Sequence, residues 1–89
     1  MSVSDLLVRA EAQLTLATMA PTADTCEVFV ARARTLLAHA RAEIEGTPPN
    51  VTLSLEQLSA RRSLRYLEAD LREREQVAAR RRSCAGESA

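Results

Sequence analysis

The sequence predicts an all-α fold: a three-helix antiparallel bundle with a long protruding C-terminal helix. The first observation behind this is composition. Of 89 residues, 46% are apolar and only 2% aromatic, with sixteen alanines, twelve leucines, two glycines and three prolines. That mixture favours helix and lacks the turn formers and aromatics of a sheet protein. The second is that apolar residues recur in three segments with alternating spacings of four and three, the period of one helix face. The third is that each segment is punctuated by capping or helix-stopping residues. At this length one domain is the ceiling.

The first helix is expected over about residues 2–19. Ser2 and Asp5 form an S-x-x-D start, in which side chains satisfy orphan amides of the first turn. Val3, Leu7, Ala10, Leu14 and Ala17 share one face. Ala20-Pro21 ends the segment, because a residue before proline avoids the α region.

The second helix is expected over about residues 24–45. Asp24 and Glu27 form a capping pair, with Thr22 as the competing cap. Its seam is Cys26, Val30, Ala33, Leu37, Ala40 and Ile44, widened by Phe29 and Leu36. Gly46 followed by Pro48-Pro49 is a strong stop. Glycine is expected in the left-handed cap, and proline cannot continue the helix.

The third helix is expected over about residues 55–83, with 84–89 as a frayed tail outside a single helical domain of residues 1–83. Ser54 and Gln57 form a capping box, and Leu53 can staple onto Leu58. Ala60, Leu64, Leu67 and Leu71 continue the seam. After Leu71 the pattern decays: position 74 is arginine, and only Val77, Ala78 and Ala79 follow. Glu68 with Arg72 and Asp70 with Arg74 are i→i+4 pairs in the favourable orientation. Arg80, Arg81 and Arg82 suit the negative end of the helix dipole.

The expected lengths are roughly 27, 33 and 43 Å. Short connectors make neighbours antiparallel. The third helix is therefore expected to return along the second and overshoot it by one to two turns. The overshooting end would be the arginine-rich one. That singles out Arg72, Arg74, Val77, Arg80, Arg81 and Arg82 as partner-binding residues. A second surface is suggested by Leu6, Leu16 and Met19, which lie off the first seam.

Several function classes find no support. His39 is the only histidine and sits four residues before Glu43 on the polar side of the second helix. One histidine and two distant cysteines give no zinc spacing. No glycine-rich loop is present to cradle phosphate, and serines and threonines sit mostly at caps. Neither catalysis nor a cofactor, metal or small-molecule substrate is expected. Cys26 reads as a buried structural thiol and Cys84 as a residue of the tail, with no bond between them. No apolar stretch is long enough to span a bilayer. With no signal-peptide pattern visible, the simplest expectation is a soluble, cytoplasmic protein in a reducing compartment.

Net charge is zero, from 12 basic and 12 acidic residues, and every basic one is arginine. Residues 61–82 hold eight arginines against four acids, while residues 1–50 carry net −2. Contact with nucleic acid must therefore be weighed. The interleaved acids, the neutral total and the near-absence of aromatics count against it.

One pattern looks familiar. Leu6-Leu7-Val8-Arg9-Ala10-Glu11-Ala12-Gln13-Leu14 resembles the first helix of small tailed-phage head-to-tail joining proteins, the gpW-like adaptor or head-completion family. Val51-Thr52-Leu53-Ser54-Leu55-Glu56-Gln57-Leu58, running into Leu64-Arg65-Tyr66-Leu67-Glu68, is similar to the last helix of that family. That family carries a small β-hairpin between its helices. Here a long helix fills the place, and only residues 51–53 could be extended. The resemblance implies a non-enzymatic ring subunit of the virion, wedged between portal and tail, with arginine-rich helix ends against neighbouring subunits or the DNA channel.

The function expected from all of this is non-catalytic assembly. The chain packs helix faces against copies of itself, as a homo-oligomer, or against another protein as an adaptor. The alternative is a small nucleic-acid-associated regulator using the Arg-rich third helix.

Overall fold

The computed structural model describes residues 2–46 and 54–87. Three helices run in chain order: α1 (Val3–Met19), α2 (Ala23–Glu45) and α3 (Leu55–Glu87). They pack side by side into a rod measuring 56 × 18 × 16 Å. The all-α antiparallel bundle is as the periodicity predicts, and α3 is the longest element at 33 residues. It packs less closely on α1 than α1 and α2 pack on each other. The expectations for Pro48, Pro49, residues 51–53 and the Cys84 side chain lie outside the described residues.

The helix starts follow local chemistry. Ser2 accepts a hydrogen bond from the Asp5 amide at 3.2 Å, which caps α1. Ser54 accepts from the Gln57 amide at 3.2 Å, while Gln57 Oε1 accepts from the Ser54 amide at 2.9 Å. This is the complete reciprocal box. The start of α2 differs from expectation. Thr22, rather than Asp24, is the N-cap, and its hydroxyl accepts from the Thr25 amide at 3.1 Å. Thr22 is in extended backbone at the helix entrance, as an N-cap residue requires. Asp24 then falls one residue inside the helix, where it complements the dipole instead.

The helix ends differ in two respects. Ala20 is extended before Pro21, as expected. Gly46, however, is right-handed at φ −70°, ψ −11°, and donates its amide to Ala42 O at 3.0 Å. Its stopping role is therefore not that of a left-handed cap. α3 continues to Glu87, beyond the expected end near Ser83, because Ser83, Cys84 and Ala85 contain no breaker and a single glycine is tolerated.

The core is small-residue and leucine packing. Ala10, Ala33 and Ala40 have no exposure at all, and Leu14 and Leu37 are the largest fully enclosed side chains. Alanine on both α1 and α2 lets those two helices approach closely. From α3 come Leu64, Leu67, Leu71 and Ala78. Cys26 is a free buried thiol on the α2 seam, as its position predicts. Leu6, expected on a second surface, is instead core at 4% exposure. It lies four residues before Ala10, on the edge of the same face, and is enclosed with it.

Charged pairs fix how α3 lies on α2. Glu27 pairs with Arg82, Arg34 with Glu75 at 3.3 Å, and Arg41 with Glu68. Each seven-residue step along α2 meets a seven-residue step back along α3. Continuing this register puts Glu45, the end of α2, level with Leu64. The first turns of α3 therefore reach beyond the end of α2, although Glu56, Gln57, Ala60 and Arg61 still share a cleft with Glu43 and Ile44. The protruding end of α3 is its N-terminal one, with residues 54–59 all exposed. The expectation of an arginine-rich overhang is corrected: that end lies along the first turns of α2. The connector between α2 and α3 is long enough to let α3 begin beyond the end of its neighbour rather than beside it.

Candidate interaction surfaces

The residues expected to meet a partner at the arginine-rich end divide into two groups. Arg74 is half-buried, 3.5 Å from Asp70, and its Nε makes no hydrogen bond. At that distance the pair is ionic contact rather than a formed hydrogen bond. Arg81 donates through both Nη1 and Nη2 to the carbonyl oxygen of Ala20, at 3.3 Å each. It thereby satisfies the C-terminal cap of α1, where helix carbonyls are otherwise orphaned. Arg82 reaches Glu27. Val77 is half-buried and its neighbour Ala78 fully buried. Only Arg72 and Arg80 of the six stand exposed with no ion pair among the described residues.

The physical reason is the seam itself. Positions 60, 64, 67, 71, 74, 78 and 81 keep the alternating four-three spacing to the end. Arginine occupies two of those positions, 74 and 81. An arginine stem can cover apolar surface while its head finds a carboxylate or carbonyl. What reads as decay in the sequence is a seam continued with long polar side chains.

The acids of α3 are sorted by face. Glu68 accepts a fork from Arg41, through Nε at 2.9 Å and Nη2, and Arg41 Nη1 donates to Glu45 at 3.0 Å. The Glu68 hydrogen bond is the main reason the Arg41 guanidinium is raised above its ordinary pKa, followed by that to Glu45. Glu68 is therefore taken by α2 rather than by Arg72, the i→i+4 partner expected for it. The planar guanidinium matches a carboxylate edge-on, which a flexible pair along one helix does not. Glu75 turns to Arg34 and Asp70 to Arg74. Glu73 alone among the acids of residues 61–82 has no ion pair among the described residues.

Arg62, Arg65, Arg72 and Arg80 are left on the solvent face, all exposed. Their spacings of three, seven and eight residues place them on the side of α3 away from the core. Tyr66, 74% exposed, stands one turn beyond Arg62.

A different surface lies on α1. Leu16 and Met19 are exposed, at 39% and 67%, as expected of a second surface. Val8, 66% exposed, and exposed Ala12 complete the stripe. Neither is foreseen from the sequence, although the spacing 8, 12, 16, 19 is there to read. The stripe runs along the outward side of α1: Val8 borders the cleft toward α3, and Ala12 a groove of about 440 Å3 between α1 and α2, lined also by Arg9, Gln13, Arg32, Thr35 and Leu36. Gln13 Oε1 is enclosed there without a hydrogen-bond partner. Arg32 lies over the Phe29 ring at 5.9 Å.

An open trough of about 780 Å3 lies between α2 and α3, edged by the Arg34–Glu75 and Arg82–Glu27 pairs and lined by Ala31, Ala78 and Ala79. It holds no histidine, cysteine or hydroxyl–base pair. His39 is exposed on α2. Among the described residues no three His, Cys, Asp or Glu side chains gather as a metal site. No helix among them is long and apolar enough to cross a membrane.

Comparison with protein-family models, with curated proteins and with solved structures finds no match to this chain. The functional reading rests on the surfaces just described.

Proposed function

We propose that this chain is a non-catalytic helical assembly protein, which packs the outward face of α1 against a second copy of itself. The observation that carries this reading is that α1 has two apolar seams. One, from Val3 to Ala17, fills the core. The other, Val8, Ala12, Leu16 and Met19, faces solvent along the outward side of α1. A helix inside a three-helix bundle needs only the first. The core also supports it. A small domain built on alanine and leucine is commonly completed by association.

One continuous patch suits an isologous pair, in which the same surface serves both copies. The more specific assembly, a ring subunit of a phage head-to-tail joint, is what the resemblance of residues 6–14 and 51–68 implies. It needs a heterologous contact in addition. The continuous α2 stands where that family has its hairpin, which favours the pair over the ring.

Light scattering on a size-exclusion column tests this. The wild-type chain is expected to elute as a dimer at micromolar concentration. Leu16→Glu with Met19→Glu is expected to elute as a folded monomer with unchanged helical circular dichroism. A wild-type chain that stays monomeric at millimolar concentration would overturn the proposal. A closed ring by electron microscopy would replace the pair with the joining-protein reading.

A further inference from the structure

The sorting of charge on α3 has a second consequence, independent of the outward face of α1. In the sequence, the acids of residues 61–82 alternate with arginines and look neutralising. In the fold, Glu68 and Glu75 turn toward arginines of α2, and Asp70 pairs with Arg74. The outer side of α3 keeps Arg62, Arg65, Arg72 and Arg80, with Glu73 beside them. We infer that this outer face of α3 is a docking surface for the phosphate backbone of duplex nucleic acid.

Three features select that partner. The four guanidinium groups lie along one straight helix over roughly 27 Å. A linear array suits a linear polyanion, which offers a charge about every 1.7 Å along its axis. Each guanidinium can fork onto phosphate oxygens. Between its arginines the face carries only Ala69 and Gln76. Its exposed leucines, Leu55 and Leu58, stand together at one end, far from Arg72 and Arg80, so they cannot anchor the length of the face on an anionic lipid surface. Tyr66 is the only exposed aromatic of the described residues. A single stacking platform is too little for a strand held by its bases, which favours a duplex held by its phosphates. The contacts are to backbone, so binding is expected to be independent of sequence.

The test is fluorescence anisotropy of the full chain with a labelled random-sequence DNA duplex, at several salt concentrations. Four phosphate contacts predict a slope of log affinity against log salt of about −3 to −4, or a loss on the order of 100-fold between 50 and 200 mM salt. Arg65→Gln with Arg72→Gln is expected to weaken binding about tenfold or more and to lower the slope by about two. Ala38→Glu with Ala42→Glu makes the same change in net charge on exposed α2 positions and is expected to leave affinity within about threefold. All four sites are exposed, and circular dichroism confirms that each variant is folded. Absence of binding at low salt overturns the proposal. So does an equal loss in both double variants, which would make the effect one of net charge. Tighter binding to a single strand of the same length overturns the assignment to duplex. Light scattering on the same samples reports dimerisation separately, so failure of the pair and failure of the arginine face are told apart.

Discussion

At its Leu55 end, α3 shows six successive exposed residues, 54–59, with Leu55 at 86% and Leu58 at 49% exposure. At its arginine-rich end, Ala78 is buried at 3%, Arg81 holds the Ala20 carbonyl and Arg82 holds Glu27. The more hydrophobic end is only loosely covered, its Glu56, Gln57 and Ser59 lining open clefts with Ser4 and Ile44, while the more charged end is docked onto α2. Apolar content alone did not decide which part of the helix packs. Register decided it. Three interhelical ion pairs spaced seven residues apart slide α3 along α2 until carboxylates meet guanidinium groups. That alignment carries the Leu55 turns past the end of α2. Each exposed pair contributes little by itself, but all three favour one alignment and disfavour shifts by a helical turn.

The largest test of this contrast is truncation after Glu73. It removes Ala78, the partners of Arg34 and Glu27, and the Ala20 cap. It also uncovers the α3 side of Cys26 and Val30, now exposed by only 2% and 3%. Urea unfolding is expected to show a loss of about 2–4 kcal/mol, a large share of a small domain's stability. A loss below about 1 kcal/mol would mean that the docked end contributes as little as an overhang would. Accessibility of the Cys26 thiol to a disulfide reagent supplies a second readout: protected in the intact chain, reactive in the truncated one.

The parts legible in sequence are those governed by neighbours along the chain. Ser2, Ser54 and Gln57 cap as their spacing indicates, and the seams of α1 and α2 bury the residues their period selects. The same holds for α3 through Leu71. What was not legible depends on partners far apart in sequence. Glu68 has two candidate arginines, Arg72 on its own helix and Arg41 on the next, and only the fold shows that the fork to Arg41 prevails. Arg74 and Arg81 occupy seam positions but carry charge, so a hydropathy reading stops at Leu71. Leu6 and Leu16 are both leucines off the main seam. Leu6 lies four residues before Ala10 and so on the edge of the core face, while Leu16 lies on the far side of α1 from Leu14, a difference the spacing already carries. The open stripe on α1 was half legible: Leu16 and Met19 stand out, while Val8 and Ala12 are too ordinary to do so.

A finer test uses neighbouring arginines of opposite fate. Arg81 is half-buried and donates two hydrogen bonds to one carbonyl, while Arg80 is exposed without an ion pair among the described residues. Methionine keeps the stem and removes the guanidinium. Arg81→Met is expected to cost about 1 kcal/mol, the net contribution of a hydrogen bond to an otherwise orphaned helix carbonyl. Arg80→Met is expected to change stability by less than about 0.5 kcal/mol. Thermal unfolding of both separates them. Equal losses would show that the two arginines differ only in position along α3 and not in attachment.

The smallest expected effect is at the other end. Leu55→Gln with Leu58→Gln removes two leucines, a change that in the core would cost several kcal/mol. Here Leu55 already faces water and Leu58 is half exposed, so little apolar burial is lost. Glutamine is also nearly as good a helix former as leucine. Stability is expected to change by less than about 0.5 kcal/mol, and the Ser54–Gln57 box, which begins α3, is left intact. This near-null result sharpens the contrast because it is asymmetric. Two leucines would matter less than the single guanidinium of Arg81, inverting the order that hydrophobicity predicts. If the double variant instead lost 1 kcal/mol or more, the Leu55 turns would have to be covered in solution. Position along the shared register would then no longer explain which end of the helix is held.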